Sequence, residues 1–322
     1  MTLYGLLSLK ERAQKVLVNP WSFLARRRGP VIFKSGAVVW TDGTRRRWDM
    51  ANALVTLAYH GVPLQRHKDQ VHGVGWAVTF DLMNDAKGIE MRLASINPTI
   101  FLETFVYQTH WLGEDLTGSV VVDIGAYTGD TALYYAQRGA LVMSFEPDPD
   151  HFSKLEQNLA NSRSDISRRI FPERKAIVGD DRTSSTLFQK ASREGEGDGH
   201  VVSTGSPEVL SGTATIVPTR GILDVALSAR GLANGQLGVG GRAYLKCDAK
   251  GEEISIVART EAMRLFDGAL IEYVNGRETL PLLLQCLERA GFRCSIFKHN
   301  SAPFSLADHG TIRASRVEEP AG

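Results

Sequence analysis

The sequence predicts an α/β fold in which helices cover both faces of a mostly parallel β-sheet, preceded by a small α+β N-terminal extension. After about residue 100, short apolar runs alternate with amphipathic segments of helical length. Continuous apolar runs are typical of strands buried on both faces, and this alternation is typical of parallel strands joined by helices. A chain of 322 residues is long enough for two modules. We assign residues 1–100 to the extension and residues 101–322 to the α/β domain.

The extension has its own pattern of elements. Apolar residues recur at helical spacing in the first twenty residues, and an Asp42-Gly43 turn between two apolar runs predicts a hairpin. The predicted elements are a helix over 3–18, hairpin strands over 37–40 and 46–50, a helix over 51–60 and a strand over 71–82. None of them carries a motif of known chemistry.

The α/β domain is predicted from residue 119 onward. Its strands are the apolar runs, and its helices are the amphipathic segments between them. In chain order the prediction is strand 119–124, helix 131–138, strand 141–145, helix 149–161, strand 170–178, helix 222–230, strand 242–248, helix 252–265, strand 269–273, helix 281–290 and strand 293–299. Residues 191–211, rich in Gly, Ser and Glu, predict a mobile surface loop.

Charge and cysteine content restrict the functional classes. The formal net charge is +1, but the extension is basic and contains arginine triplets at 26–28 and 45–47. Such triplets can meet phosphates or anionic lipid, or can form a solvated face. Three cysteines without C-x-x-C spacing disfavour a disulfide framework and a zinc knuckle. Because no apolar run reaches 18 residues and charges interrupt the first twenty, we expect a soluble cytoplasmic protein.

Residues 121–147 hold the densest set of chemical signals. A strand ends in Asp123, a turn with Gly125 and Gly129 follows, and a helix begins near Asp130. Glycines let a backbone approach a ligand closely, and a helix N-terminus favours an anionic group. The next strand ends in Glu146, whose carboxylate can accept hydrogen bonds from both hydroxyls of a ribose. This order predicts a nucleoside site.

The glycine spacing selects among nucleoside ligands. A dinucleotide site needs G-x-G-x-x-G, whereas here three residues, with Tyr127 in the middle, separate Gly125 from Gly129. The missing third glycine and the acidic Asp130 disfavour a pyrophosphate. S-adenosylmethionine fits better, because it has a ribose, an ammonium that Asp123 can meet and one carboxylate for the turn amides. Another adenosine ligand is the alternative.

The segments VVDIGAYTGD, FEPDPDHFSKLEQNL, YLKCDAKGEE and LIEY together resemble the FkbM family of class I S-adenosylmethionine-dependent methyltransferases. The resemblance covers roughly residues 100–300. It implies a Rossmann-like, seven-stranded sheet with an antiparallel last strand, and O-methylation of hydroxyls on sugars, glycolipids or other small metabolites. With the residues that it carries over, the predicted cofactor-binding set is Glu103, Asp123, Gly125, Ala126, Tyr127, Thr128, Gly129, Asp130, Glu146, Pro147, Asp148, Ala176 and Asp248.

The fourth-strand motif departs from the family pattern Lys-x-Asp-x-Glu-Gly-x-Glu. Lys250 stands at the position of the first glutamate. Its ammonium can meet a phosphate or carboxylate on the acceptor, or can pair with Glu252 or Glu253. Asp248, at the carboxyl end of its strand, is the candidate general base, although it can instead hold the methionine amino group. Asp248 and Lys250 are therefore the predicted catalytic residues.

A metal-assisted mechanism is the less favoured alternative. Asp248, Glu272 and Asn275 are oxygen ligands that follow adjacent strands and could hold Mg²⁺. Two acids at strand ends are common in such sheets, so we predict no metal site.

Three functions remain open from the sequence. The first is an O-methyltransferase that acts on a small-molecule or glycan acceptor. The second is an RNA methyltransferase whose basic extension holds phosphates while Trp40, Trp48 and Tyr59 stack on bases. The third is an inactive cofactor-binding scaffold, which only Lys250 suggests. The acceptor and the oligomeric state are left undetermined.

Overall fold

The computed structural model describes eleven segments of the chain: residues 29–32, 38–41, 64–67, 75–80, 89–92, 98–179, 185–189, 200–202, 214–237, 241–297 and 309–316. The chain divides into two compact units. The first contains residues 1–109, 157–163 and 300–303, and the second contains residues 110–156, 164–299 and 304–322.

The first unit contains two antiparallel sheets. Its elements are β1 (Gly29–Ile32), β2 (Val38–Thr41), β3 (Leu64–His67), β4 (Gly75–Phe80), β5 (Ile89–Arg92), α1 (Pro98–Phe101) and a π-helical turn (Leu102–Val106). Strand β1 pairs with β2, and the other sheet has the order β3-β4-β5. The strand expected over 71–82 is present as β4. The first strand of the expected hairpin overlaps β2, while residues 46–50 and the helices expected over 3–18 and 51–60 lie outside the described residues.

The second unit contains the strands and helices of the α/β domain. Its strands are β6 (Ser119–Ile124), β7 (Leu141–Phe145), β8 (Ile170–Glu173), β9 (Ala176–Val178), β10 (Ser185–Gln189), β11 (His200–Val202), β12 (Ala214–Gly221), β13 (Arg242–Cys247), β14 (Gly268–Val274), β15 (Phe292–Phe297) and β16 (His309–Arg316). Its helices are α2 (Asp130–Gln137), α3 (Pro149–Asn161), α4 (Ser164–Ser167), α5 (Ile222–Leu237), α6 (Glu253–Val257), α7 (Thr260–Met263) and α8 (Gly276–Arg289). Residues 157–161 of α3 are grouped with the first unit.

The main sheet has seven strands in the order β15-β16-β14-β13-β6-β7-β8. Strand β16 is antiparallel to both of its neighbours, and the other pairings are parallel. From β6 the chain moves outward to β7, whereas from β13 it moves in the opposite direction to β14. Right-handed crossovers therefore place their helices on opposite faces of the sheet. The fold class predicted from the sequence, including the antiparallel strand that the resemblance implied, is confirmed.

A hydrophobic core of the second unit lies on one face of this sheet. Val120, Val122 and Ile124 of β6 pack there with apolar residues of α5 to α8. Val121 is also fully buried but does not belong to this cluster. Because successive side chains of a strand point to opposite faces, both faces of β6 are covered. This double burial explains the continuous apolar run SVVVDI.

The helices expected over 222–230 and 281–290 are longer in the structure, where they cover Ile222–Leu237 and Gly276–Arg289. Two other predicted elements are each divided into two. The strand expected over 170–178 is two strands, β8 and β9, which belong to different sheets. The chain turns between them, where the Lys175 amide donates to the Glu173 carbonyl. The helix expected over 252–265 is divided into α6 and α7, because Arg259 has a non-helical ψ of 78°.

A smaller four-stranded sheet has the order β11-β10-β12-β9 and was not predicted. Strand β11 lies inside the segment expected to be a mobile loop. No helix of the described residues is both long and apolar enough to cross a membrane.

Candidate active site

The candidate site lies where the direction of the main sheet reverses, between β6 and β13. These two strands are adjacent and parallel, with Asp123 opposite Lys246 and Ile124 opposite Cys247. The chain leaves them towards opposite edges of the sheet, which opens a crevice beyond their carboxyl ends. In open α/β sheets, ligands bind at such a switch point.

A tight glycine turn follows β6 at this edge. Gly125 has a φ of +73°, and a Cβ atom there would lie 2.1 Å from the Asp248 carbonyl oxygen. The amides of Gly125 and Ala126 both donate to the Phe145 carbonyl at 3.0 Å. A side chain at Gly125 is thus excluded by backbone conformation and by contact with the neighbouring strand.

The second glycine of the turn begins α2. Gly129 has a φ of +86°, and its missing Cβ would lie 3.0 Å from Leu155 Cγ. Its amide donates to the Ala126 carbonyl at 2.8 Å. Three turn amides, those of Gly125, Ala126 and Gly129, therefore donate within the protein. The expectation that turn amides bind a ligand carboxylate has no support from these three.

Glu146, on the neighbouring strand end, accepts a hydrogen bond from the glycine turn. It follows β7 and is 5% exposed. Its Oε2 accepts from the Tyr127 amide at 2.8 Å, and its Oε1 accepts from the Asp148 amide at 2.9 Å. Burial raises the pKa of its carboxyl to about 8, and the two amide donors only partly oppose this shift. Each carboxylate oxygen keeps one further lone pair for a ligand hydroxyl.

A buried ion pair between Lys246 and Asp123 contacts the backbone of the glycine turn. Lys246 Nζ lies 3.2 Å from Asp123 Oδ1 and donates to the Gly125 carbonyl at 2.7 Å. The two side chains are 5% and 0% exposed. Thr131 Oγ1 donates to Asp123 Oδ2 at 2.7 Å. Asp123 Oδ2 therefore has a hydrogen-bond donor, whereas the buried Oδ1 has the ammonium nearby but accepts no hydrogen bond from the described residues.

Four charged or titratable side chains meet at the carboxyl ends of β13 and β14. Lys250 Nζ lies 2.7 Å from Asp248 Oδ1 and 3.4 Å from Glu272 Oε1. His309 of β16 places Nε2 3.2 Å from the same Glu272 oxygen. Burial alone lowers the pKa of the Lys250 ammonium, but the carboxylates of Asp248 and Glu272 raise it above its ordinary value. Lys250 is thus expected to be charged at neutral pH. We call these four residues the carboxylate–lysine cluster.

The partners of Lys250 differ from those considered in the sequence. Neither Glu252 nor Glu253 pairs with it among the described contacts; instead, Glu253 Oε2 accepts from the Gly251 amide at 2.8 Å. Burial raises the pKa of the Glu253 carboxyl. The ammonium is held at the strand ends and not at the start of α6.

The structure brings most of the predicted site residues to one edge of the sheet. Asp123, Ala126, Thr128, Asp130, Glu146 and Asp148 are buried around the turn, and Gly125 contacts the backbone of Asp248. Ala176 lies on β9, and Pro147 follows Glu146. Glu103 lies in the first unit, on the π-helical turn, so its role stays a prediction.

Sequence reasoning missed Lys246, His151 and His309. His151 Nδ1 lies 4.0 Å from Glu146 Oε1, and its ring packs edge-on against Tyr127 at 4.5 Å. A signal existed for Lys246, because a lysine inside an apolar strand needs a buried partner. No comparable signal marks either histidine. Among the described residues, no three His, Cys, Asp or Glu side chains are grouped to hold a metal ion.

No protein-family model and no curated protein matches the chain. Among solved structures, fibrillarin from Aeropyrum pernix with bound S-adenosyl-L-methionine is 14% identical, and the match covers 79% of this chain and 99% of that one with a TM-score of 0.39. A TehB-like S-adenosylmethionine-dependent methyltransferase from Corynebacterium glutamicum is 11% identical, with 62% and 82% covered and a TM-score of 0.32. The glycopeptide N-methyltransferase MtfA with S-adenosylmethionine is 10% identical, with 67% and 94% covered and a TM-score of 0.35. Since these TM-scores are below 0.5, nothing about this chain's ligand follows from them.

Proposed function

We propose that this chain is an S-adenosylmethionine-dependent methyltransferase that methylates a hydroxyl of a sugar, glycolipid or other small metabolite. The observation that carries the proposal is the position of Glu146. Its carboxylate lies at the end of β7, beside the switch point. It accepts a hydrogen bond from the amide of Tyr127, which belongs to the glycine turn after β6. This is where a nucleoside ribose binds in an open α/β sheet.

The residues around the turn fit the nucleoside part of this cofactor. Glu146 offers one lone pair on each oxygen, which matches the two donor hydroxyls of a ribose. Thr128 and Asp148 are buried beside it. The fit of the methionine part is less direct, because Asp123 already pairs with Lys246. Asp248, whose side chain is 21% exposed, is accessible to a ligand at the same crevice, and we assign it to the acceptor and not to the methionine amino group.

The bound cofactor would supply an electrophilic methyl group. The protein needs to align the acceptor oxygen with it, exclude water and remove one proton. Asp248 is placed for the proton, since it follows β13 at the switch point. The resemblance to the FkbM family supports a hydroxyl acceptor.

Cofactor binding is expected to release a proton at pH 7. Burial raises the pKa of Glu146 to about 8, so we expect the carboxyl to be mostly protonated at this pH before the cofactor binds. Two ribose hydroxyls donate to the ionised form and so favour loss of the proton. The affinity for S-adenosylhomocysteine should therefore rise with pH and level off above about 8. Isothermal titration calorimetry in buffers of different ionisation enthalpy measures the number of protons released.

The matched control is Glu146→Gln, which keeps the shape but cannot titrate. We expect it to bind without releasing a proton and with an affinity that does not rise through this pH range. If the parent protein released no proton and its affinity were flat between pH 6 and 9, the role of Glu146 as the ribose ligand would be wrong.

The acceptor can be identified with radiolabelled cofactor and a fractionated cell extract. We expect label in the small-metabolite or glycan fraction. Label in RNA would favour the RNA methyltransferase hypothesis, which rests on arginine triplets outside the described residues. Cofactor binding without label in any fraction would favour the inactive scaffold.

We also propose that residues 1–100 contribute to acceptor recognition and residues 101–322 form the catalytic domain.

A further inference from the structure

Lys250 combines an unusual backbone conformation with a fixed side-chain position. Its φ is +39°, although it is not a glycine, and Gly251 follows with a φ of +106°. A left-handed conformation is unfavourable for a non-glycine residue, because its Cβ lies too close to the following carbonyl oxygen. Such strain persists where the surrounding structure requires it, often at functional sites. Here it accompanies a side chain that lies between Asp248 and Glu272.

The ammonium of Lys250 has donor capacity left over. It carries three N–H groups, and its partners in the described structure are one oxygen of Asp248 and one of Glu272. The side chain is 21% exposed. A third N–H can therefore donate to an oxygen of a bound molecule.

Asp248 presents the complementary group. Its Oδ1 is buried against Lys250, while the side chain as a whole is 21% exposed. Because Oδ1 is engaged by Lys250, Oδ2 is the carboxylate oxygen left for a ligand. A donor and a proton acceptor stand side by side at the switch point, within reach of the glycine turn that contacts the Asp248 backbone.

The geometry points to Lys250 as the fixed cation of the acceptor site. Its ammonium lies between Asp248 and Glu272, where a divalent metal ion would otherwise bind, and it donates a hydrogen bond to the oxygen of a neutral hydroxyl acceptor. This inference rests on the proposed function. Carboxylates are ligands that divalent cations prefer, and a bound cation can in turn bind and polarise a substrate oxygen. In this chain the ammonium supplies that charge, so the reaction needs no metal.

Methyl transfer needs only the acceptor hydroxyl, the cofactor and the side chains of Lys250 and Asp248. The acceptor oxygen accepts a hydrogen bond from Lys250 and donates its own to Asp248 Oδ2. As the oxygen–carbon bond to the methyl group forms, the carbon–sulfur bond breaks and its electron pair stays on sulfur. The hydroxyl proton passes to Asp248 Oδ2. Lys250 keeps its proton throughout, because the adjacent carboxylates hold its pKa above the ordinary value.

This pair of groups selects the class of acceptor. A protonated amine offers only donors and is repelled by the ammonium, and a carboxylate or phosphate is repelled by Asp248. A neutral hydroxyl is both donor and acceptor and satisfies the two groups. The anionic acceptor considered from the sequence is not favoured, since Lys250 already pairs with two carboxylates.

Replacement of the ammonium tests this inference without cofactor or acceptor. In Lys250→Gly, Asp248 and Glu272 lose the ammonium between them, and only His309 stays beside Glu272, at 3.2 Å. The two carboxylates must then bind another cation or take up a proton. At pH 8 we expect the variant to bind one Mn²⁺ with a dissociation constant on the order of 1 mM or lower. The parent protein should show no such binding. Electron paramagnetic resonance of free Mn²⁺ measures both.

Two controls make the result specific. Lys250→Arg keeps a cation at the position and should not bind Mn²⁺, and Lys250→Gly combined with Glu272→Gln should lose the site. Lys250→Asn, which also tolerates a left-handed backbone, replaces Lys250→Gly if that variant does not fold. The inference would be overturned if the parent bound Mn²⁺ as tightly as Lys250→Gly does, or if neither Lys250→Gly nor Lys250→Asn bound Mn²⁺. Failure of the parent to bind S-adenosylhomocysteine would instead refute the proposed function.

Discussion

Asp248→Asn is expected to slow methyl transfer by roughly 100- to 10,000-fold, the range for loss of a general base. Asparagine keeps the size of the side chain, and its carbonyl oxygen can still accept from Lys250, which lies 2.7 Å from Oδ1. It cannot take a proton from the acceptor hydroxyl. Single-turnover transfer of a radiolabelled methyl group, with the acceptor fraction identified above, measures this rate. The affinity for S-adenosylhomocysteine should change little.

Glu253→Gln is the matched control for Asp248→Asn. Glu253 is a neighbouring buried carboxyl whose Oε2 accepts from the Gly251 amide. Its replacement removes a carboxylate near the cluster without touching the proposed base, so transfer should stay within a few-fold of the parent rate. A large loss of cofactor affinity in Asp248→Asn, with little further effect on transfer, would assign Asp248 to the methionine amino group instead.

Lys246→Met is expected to lower the free energy of unfolding by about 3–5 kcal/mol. Methionine fills a similar volume but leaves the carboxylate of Asp123, which is fully buried, without its cation. The glycine turn also loses the hydrogen bond to the Gly125 carbonyl. Urea denaturation followed by circular dichroism measures the loss. Cofactor affinity should fall as well, since the turn would no longer be held in place.

The double variant Lys246→Met with Asp123→Asn separates charge from packing. Asparagine removes the unpaired charge and can keep the hydrogen bond from Thr131. The double variant should therefore be more stable than Lys246→Met alone. Equal stability of the two variants would show that the ion pair has no energetic part in holding the turn.

The sheet around the site could be predicted because strands buried on both faces need continuous runs of apolar residues, and such runs are visible in the sequence. The apolar runs of β6 and β7 match their observed bounds, and α3 begins at Pro149 and ends at Asn161 as expected. Pro281, by contrast, suggested a helix start, but α8 begins at Gly276 after Asn275 in a left-handed conformation. Local signals fail where a proline is tolerated inside a helix.

Elements whose partners are distant in sequence were less predictable. The four-stranded sheet pairs β9 with β12, more than forty residues apart in sequence, and no local pattern specifies that pairing. Glu146 was found from its place after a strand, whereas His309 joins the carboxylate–lysine cluster only because β16 lies beside β14. The pairing of Lys250 with Glu272, 22 residues further along the chain, was missed for the same reason.

The most direct test of the central claim is a calorimetric titration of S-adenosylhomocysteine into the parent protein, Glu146→Ala and Asp267→Ala. Asp267 ties Arg230 and the Ala243 amide at the amino ends of β13 and β14, so its loss lowers stability without touching the proposed site. We predict one site per chain in the parent, binding weaker by about 2 kcal/mol or more in Glu146→Ala, and parent-like affinity in Asp267→Ala. No binding by the parent, or parent-like affinity in Glu146→Ala, would contradict the claim that this edge of the sheet binds S-adenosylmethionine.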